Sequence, residues 1–303
     1  MMRSLARLLG DEFSGFVLEN EPLSRHTTIR IGGPAALFIE AGNLRSLTLA
    51  CDACRELGIP WTVFGKGSNL LVSDAGFNGA VITLGAGFAK CAFDAESGVF
   101  TLGAGLRLSQ AVREAASLGR GGLEFAVGIP GTVGGAVRMN AGTRREFLAP
   151  RIVSVTTLRP GEGLRRYAAR DIDWGYRETS IPFDEVVLEC EVATAEGDEQ
   201  EIRRAMQKSQ ERRRITQPLG LPSCGSVFRN PEGESVGRLI ENVGLKGALC
   251  GGAQISERHA NFIVNRDGAR AVEVLSLIHA ASGAVAERYG VELVPEVRFL
   301  GFE

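Results

Sequence analysis

The stretch Gly128-Ile129-Pro130-Gly131-Thr132-Val133-Gly134-Gly135-Ala136-Val137-Arg138-Met139-Asn140-Ala141-Gly142 constrains this chain more than any other. It sets five glycines and one proline among Ile, Val and Met. A flexible linker would carry Ser or Lys in place of those apolar residues. Without Cβ atoms the backbone can press close against a flat or extended ligand. A shorter glycine loop, Gly65-Lys66-Gly67-Ser68-Asn69, stands between β-like runs at 61–64 and 70–72. Small consecutive residues there let backbone N–H groups converge on an anion, and Ser68 and Asn69 add side-chain donors. A plain tight turn is the competing reading. Neither loop is a G-x-G-x-x-G fingerprint or a Walker loop. Leu70 occupies the third glycine position, and no Gly-Lys-Ser/Thr occurs. Two such loops in one domain point to a dinucleotide such as FAD, held non-covalently by backbone contacts.

The elements around the loops predict an α+β chain. Strands are expected at 36–40, 61–64, 70–72, 80–84 and 99–103, and helices at 44–57 and 109–118. Ser109 suits the N-cap of the second helix and Gly119 its stop. The texture changes near 197. Asp198 followed by Glu201 reads as a capping box, with Ile202, Ala205 and Met206 as the apolar face. Beyond it the spacing predicts a strand at 226–229, a helix at 235–243, a strand at 261–265, a helix at 270–289 stopped by Gly290, and a strand at 291–300. This divides the chain into 18–196 and 197–303.

Composition excludes several classes of function. The formal charge of −2 over 303 residues gives no basic field for nucleic acid. No apolar run approaches the ~20 residues that cross a bilayer, and Met1–Gly10 makes a poor signal peptide. Six cysteines in a chain of this size fit a reducing, cytoplasmic setting better than a disulfide scaffold. Cys51 and Cys54 form a C-x-x-C with no second pair and no nearby histidine. With Leu44, Leu47 and Leu57 they recur at helical spacing, which predicts two buried thiols on one helix face.

The run His26-Thr27-Thr28-Ile29-Arg30-Ile31-Gly32-Gly33-Pro34-Ala35, the loop at 65–69, and Gly122-Leu123-Glu124-Phe125 leading into 128–142 resemble the UDP-N-acetylenolpyruvoylglucosamine reductase family. So do Trp174-Gly175-Tyr176-Arg177-Glu178-Thr179-Ser180, Cys224-Gly225-Ser226-Val227-Phe228-Arg229-Asn230-Pro231 and Leu293-Val294-Pro295-Glu296-Val297-Arg298-Phe299. The resemblance runs in order from about residue 20 to 300. It implies a two-subdomain FAD-binding domain of the PCMH (vanillyl-alcohol-oxidase) type over 18–196. A C-terminal α+β substrate-binding domain follows over 197–303. The implied cofactor is FAD, with NADPH as hydride donor and UDP-N-acetylglucosamine enolpyruvate as substrate. A monomer is expected.

Read bottom-up, the last three segments supply a guanidinium, a hydroxyl and a carboxylate. Each alone has a plain reading: a surface ion-pair partner, a turn former and a solvated carboxylate. The resemblance makes Arg177, Ser226 and Glu296 catalytic, with Ser226 as proton donor and the other two stabilising charge. It gives cofactor contacts to Gly65, Lys66, Gly67, Ser68, Asn69, Gly128, Ile129, Pro130, Gly131, Thr132, Gly134, Gly135, Asn140, Ala141 and Gly142. It gives substrate contacts to Tyr176, Arg177, Arg229 and Asn230.

The sequence departs from the family at Arg229, where lysine is usual, and at Cys224, where alanine is common. Cys224 is expected to pack, and to be oxidisable if its thiol is partly exposed. Thr143-Arg144-Arg145-Glu146 also differs from the usual run. None of the three tyrosines lies between Arg177 and Ser226, so the chain resembles the shorter branch without a tyrosine-bearing lid. His259 reads as a substrate neighbour or a satisfied structural histidine, and His279 as core or edge packing. The Arg212–Arg214 run reads as a solvated face or a diphosphate contact. Two rivals remain at this level: an alcohol or sugar oxidase of the same flavin superfamily, and a non-catalytic nucleotide-sugar-binding protein.

Overall fold

The computed structural model describes residues 2–302. The chain forms two compact units, each assembled from separated stretches. The first takes residues 1–19, 37–65 and 79–211, and the second takes 20–36, 66–78 and 212–303. Helices are numbered along the chain: α1 (Met2–Leu9), α2 (Leu44–Glu56), α3 (Leu108–Ser117), α4 (Val133–Arg138), α5 (Glu199–Thr216), α6 (Val236–Asn242) and α7 (Ala271–Tyr289).

The first unit has two hydrophobic cores. One packs α2 against a sheet ordered Gly15–Pro22, Pro34–Ala41, Phe77–Leu84, Trp61–Phe64. Trp61–Phe64 runs parallel to Phe77–Leu84, with Trp61 opposite Ala80. Asn43 starts α2 by accepting the Ser46 N–H at 2.9 Å. Cys51 and Cys54 are fully buried on the face of α2 that enters this core, as the helical spacing predicts. Burial pushes their thiols up to about 12 and about 11. Among the described residues no group of three or more His, Cys, Asp or Glu is placed to hold a metal.

The other core lies on an antiparallel sheet ordered Gly163–Ala168, Ile152–Arg159, Val186–Ala193, Val99–Gly103, Cys91–Asp94. α3 and α4 pack on it. Two cores within the flavin-type portion match the two-subdomain expectation. The N-cap expected at Ser109 falls instead at Arg107, which makes no side-chain cap. The backbone takes over that role. Leu108 N–H donates to the Gly131 carbonyl at 3.1 Å, which fixes the start of α3 to the long glycine stretch.

The second unit holds an antiparallel sheet ordered Ser223–Ser226, Phe262–Asn265, Ala253–Ile255, Leu249–Cys250, covered by α6 and α7. Ile29, Ile31 and Leu71 enter this core from the two earlier stretches of chain. The parallel pair Arg298–Leu300 and Leu70–Val72 completes it. α7 ends at Gly290, whose φ of 65° suits a left-handed cap. Its N-terminus is capped from far away. Asp74 accepts the Ala271 N–H at 2.8 Å and the Val272 N–H at 3.1 Å, bridging 197 residues in the first case.

Three expectations in this part need correction. The strand placed at 226–229 lies at Ser223–Ser226 and carries a bulge at Cys224 and Gly225, and beyond it the Phe228 peptide pairs with the Asn261 side chain. The strand placed at 291–300 shrinks to Arg298–Leu300, and Pro295 upstream makes only an isolated bridge to Phe228. His279 is exposed rather than packed, and so is Val272. The buried face of α7 is Ala271, Val274, Leu277, Ile278, Ala281 and Val285. In α5 the expected Asp198 cap is present, accepting the Glu201 N–H at 2.9 Å. Its apolar face keeps Ile202, buried, and Met206, partly buried against the core, while Ala205 is exposed.

Candidate active site

Residues 133–138 of the long glycine stretch form α4 rather than a continuous loop. Thr132 is its N-cap and accepts the Gly135 N–H at 3.4 Å. Val133 and Gly134 donate to the Leu106 and Ala104 carbonyls, both at 2.9 Å. A side chain at Gly134 would meet the Ala104 Cβ at 2.8 Å, so only glycine permits that approach. Arg138, the last residue of α4, ties the helix to the sheet below. It donates to the carbonyls of Ile181 and Glu185. Burial pushes the Arg138 pKa down, and the nearby Glu185 carboxylate opposes that shift. Glu185 is 2% exposed and is held by the Thr157 hydroxyl at 2.5 Å and the Tyr167 hydroxyl at 2.8 Å.

The two glycine loops adjoin at one point within the first unit. A Cβ on Gly65 would lie 2.6 Å from Thr132 Oγ1, and one on Gly135 would lie 3.7 Å from the same atom. Both glycines are exposed. Thr132 is thus flanked by two stretches of backbone from which no side chain projects, a surface suited to a flat ring. Further along the shorter loop, Gly67 has a φ of 58° and is buried against His26. A Cβ there would reach the His26 carbonyl oxygen at 2.2 Å. Thr28 locks this turn, donating its N–H to the Gly67 carbonyl at 3.2 Å. The Thr28 hydroxyl donates to the Ser223 carbonyl at 2.7 Å, at the start of the strand that ends in Ser226. Lys66 is exposed in the same turn.

Arg177 sits in the turn between the short strands Trp174–Gly175 and Glu178–Thr179. Its φ is 62°, a conformation costly for a side-chain-bearing residue. Its Nη2 donates to the Gly142 carbonyl at 2.7 Å and its Nη1 to the Asn140 carbonyl at 3.5 Å. Its guanidinium lies 5.0 Å from the Tyr176 ring centre. Asn140, buried and with a φ of 38°, completes the junction. Its Nδ2 donates to the Gly175 carbonyl at 3.0 Å, and its Oδ1 accepts the Ala149 N–H at 3.1 Å. After Gly142 the unusual Thr143–Glu146 run forms a tight turn. Thr143 Oγ1 accepts the N–H groups of Arg145 and Glu146, both at 3.2 Å.

In the second unit the structure brings Ser226 and Glu296 together. Ser226 closes its strand opposite Phe262, just past the bulge that Gly225, at a φ of 79°, makes possible. The next peptide, at Val227, accepts the Glu296 N–H at 2.8 Å. Asn69 holds the other side of that segment. Its Nδ2 donates to the Glu296 carbonyl at 2.9 Å, and its own carbonyl accepts the Arg298 N–H at 2.9 Å. Asn69 therefore uses its side-chain amide to position Glu296, a role beyond the anion contact that its loop suggests. Asn230 Oδ1 accepts the Val236 N–H at 3.2 Å and so starts α6.

Burial and hydrogen bonds locate several further residues. Cys224 is 1% exposed, and burial pushes its thiol up to about 12. It packs, as expected, and the partial exposure on which oxidation depended is not met. His259 Nδ1 accepts the Asn261 N–H at 3.2 Å, and its ring meets Phe262 edge-on at 5.1 Å. In the Arg212–Arg214 run, Arg213 is half-buried with its pKa pushed down by desolvation. The Arg214 carbonyl accepts from Arg258 at 3.0 Å. Sequence reasoning missed Asn261, which is 2% exposed beside Ser226, and nothing in its local pattern marks it.

An FAD-binding-domain family model matches residues 35–164, which places this two-core α+β unit with its glycine-lined surface in the class of flavoproteins. A second family model, described as the C-terminal domain of UDP-N-acetylenolpyruvoylglucosamine reductase, matches residues 217–300. The reductase of that name from Heliobacterium modesticaldum is 44% identical over 292 residues, covering 96% of this chain and 92% of the relative. The one from Anoxybacillus flavithermus is also 44% identical, with 95% of each chain covered. The crystal structure of the Thermus caldophilus reductase superposes with a TM-score of 0.81 at 36% identity, covering 95% of this chain and 99% of that one. The chain belongs to the UDP-N-acetylenolpyruvoylglucosamine reductase family of FAD-dependent oxidoreductases.

Proposed function

We propose that this protein reduces the enolpyruvyl group of UDP-N-acetylglucosamine enolpyruvate with NADPH, giving UDP-N-acetylmuramate for peptidoglycan precursor synthesis. The observation that supports the site assignment is the 2.8 Å bond from Glu296 N–H to the Val227 carbonyl, which brings the main chain of Glu296 alongside the residue that follows Ser226. Bound FAD would supply the hydride chemistry that links NADPH to the enolpyruvyl double bond. The residues suited to hold it are the backbone of Gly65, Lys66, Gly67, Ser68 and Asn69 and of Gly128–Gly142. The exposed backbone at Gly65 and Gly135 fits a flat ring without a side chain in the way.

Hydride added to the terminal carbon leaves negative charge spread into the substrate carboxylate. Arg177, permanently cationic, grips that carboxylate with two parallel donors. A preorganised donor of this kind contributes about 2.7–4 kcal/mol to the barrier when lost. Ser226 Oγ gives its proton to the neighbouring carbon. A hydroxyl is a weak acid, so it serves against a strongly basic carbanion. Glu296 stabilises the developing charge balance beside it, and Tyr176, Arg229 and Asn230 bind the substrate.

The FAD-binding domain spans 18–196 and also lends Tyr176 and Arg177 to the substrate, and the substrate-binding domain spans 197–303. The enzyme works as a monomer in the cytoplasm and without nucleic acid. Its charge of −2 and its buried thiols support that reading. Among the described residues no helix is long and apolar enough to cross a membrane. The test is NADPH oxidation by protein of known flavin content, with and without the enolpyruvyl substrate. Substrate-dependent oxidation that yields one UDP-N-acetylmuramate per NADPH is expected. An oxidation rate indifferent to the substrate rejects the proposal.

A further inference from the structure

We infer that Asn261 is a positioning residue for the proton-transfer step, acting through the backbone that carries Ser226. This inference rests on the function proposed above. The strand bearing Ser226 ends at that residue, so the peptides that follow lack a ladder neighbour on that side. Asn261 fills the gap. Its Nδ2 donates to the Phe228 carbonyl at 2.8 Å, and its Oδ1 accepts the Phe228 N–H at 2.9 Å. Its main-chain carbonyl accepts the Val227 N–H at 2.9 Å.

The carboxamide carries the same donor and acceptor as a peptide group. It therefore pairs with the Phe228 peptide, two residues past the end of the strand, as a neighbouring strand residue would. Three further bonds hold the segment: the Val227 carbonyl accepts the Glu296 N–H at 2.8 Å and the Val297 N–H at 3.3 Å, and the Arg229 N–H donates to the Val294 carbonyl at 2.9 Å. Of these six bonds to residues 227–229, Asn261 makes three. All of them involve the main chain between Ser226 and Asn230, so one buried side chain sets the spacing of the proton donor and the proposed substrate contacts.

Burial makes the arrangement sensitive to chemistry. Asn261 and Phe228 are 2% and 1% exposed, so water does not replace a lost partner. Asn261→Ala removes both side-chain bonds. Asn261→Asp keeps the shape but points an acceptor at the Phe228 carbonyl unless the carboxyl is protonated. A displacement of about 1 Å in a positioned group slows a reaction by roughly a hundredfold.

The experiment measures the two half-reactions separately on the FAD-loaded enzyme. Asn261→Ala is expected to leave flavin reduction by NADPH within about twofold of wild type. It should slow flavin reoxidation by saturating UDP-N-acetylglucosamine enolpyruvate at least about tenfold and raise its solvent deuterium isotope effect. Asn261→Asp, nearly identical in shape, is the variant to use if the alanine protein does not fold. Its reoxidation rate should recover as pH falls from roughly 8 to 5.5, relative to wild type at each pH. Reoxidation at the wild-type rate, or equal slowing of both halves with loss of flavin, overturns the inference. Failure of wild-type enzyme to turn over this substrate instead overturns the function on which it rests.

Discussion

Asn140 and Arg177 hold each other's neighbours: Asn140 Nδ2 donates to the Gly175 carbonyl while Arg177 Nη2 donates to the Gly142 carbonyl. The clasp links the end of the long glycine stretch to the turn bearing the proposed carboxylate grip. Both residues take positive φ values, 38° and 62°. Such strain persists where surrounding bonds over-determine it. Arg177→Lys keeps the charge but removes the fork. Flavin reoxidation by substrate should fall by roughly a hundredfold or more while reduction by NADPH stays near normal. Stopped-flow absorbance of the flavin checks both, and an unimpaired second phase removes Arg177 from the grip.

Ser226→Ala removes the proposed proton donor and little else. Its strand is held by backbone pairing, so folding and flavin content should be retained. The flavin-to-substrate step should slow by roughly a hundredfold or more. Equal slowing of both half-reactions would take the acid role away from this hydroxyl.

Thiol reactivity tests the packing. Cys51, Cys54, Cys190 and Cys224 are buried, and burial pushes all four to about 11 or 12. The thiolate is the reactive form. A chromogenic thiol reagent at about pH 8 should therefore label at most the two half-buried cysteines, Cys91 and Cys250, in native protein, and all six after denaturation. Prompt labelling of a third thiol in folded enzyme contradicts this.

Gly67→Ala tests the short loop. Its φ of 58° and the 2.2 Å approach to the His26 carbonyl leave no room for a methyl group. Strain of this kind costs on the order of 1–3 kcal/mol, and overpacking against backbone adds about 1–3 kcal/mol more. Urea unfolding should show that loss, and the purified variant should carry less FAD. A variant as stable as wild type would show that the turn relaxes easily.

Glu273 gives a pH test with a definite sign. Its carboxylate accepts the Arg270 N–H at 3.1 Å and the Gly252 N–H at 3.0 Å. These bonds, Arg270's first, hold its pKa below the ordinary 4.5. A carboxylate depressed by folding adds stability above its unfolded value, and that stability is lost as pH falls through the folded one. Glu273→Gln should therefore be less stable than wild type near neutral pH, and the gap should narrow in acid. Urea midpoints measured from about pH 7 to 3 decide it, and a gap that widens in acid has the wrong sign.

What was legible in the chain was what neighbours in sequence decide. The helical spacing of Cys51 and Cys54, the Asp198 cap, the Gly290 stop and the run Trp61–Phe64 each depend on a few adjacent residues. The glycine loops stood out because missing side chains are visible as letters. Long-range polar pairing left no such mark. Asp74 caps α7 across 197 residues, Glu185 gathers Thr157 and Tyr167, and Asn261 completes the Phe228 peptide. Each is a common residue whose partner is set only when the chain is folded. The strand ends at Ser226 and Arg298 were misjudged for the same reason. Apolar residues adjoin both, but Asn261 pairs by its side chain with Phe228 beyond the first, and Pro295 makes only an isolated bridge ahead of the second.

Because Ile29, Ile31 and Leu71 belong to a core supplied chiefly by residues beyond 212, they emerge from a ribosome long before anything exists to receive them. Synthesis at about 5–20 residues per second leaves these apolar side chains waiting for roughly ten seconds or more. A nascent chain halted before residue 212 lacks nearly all the partners of these side chains, which makes the truncated product a substrate for chaperones and proteases rather than a half-finished enzyme.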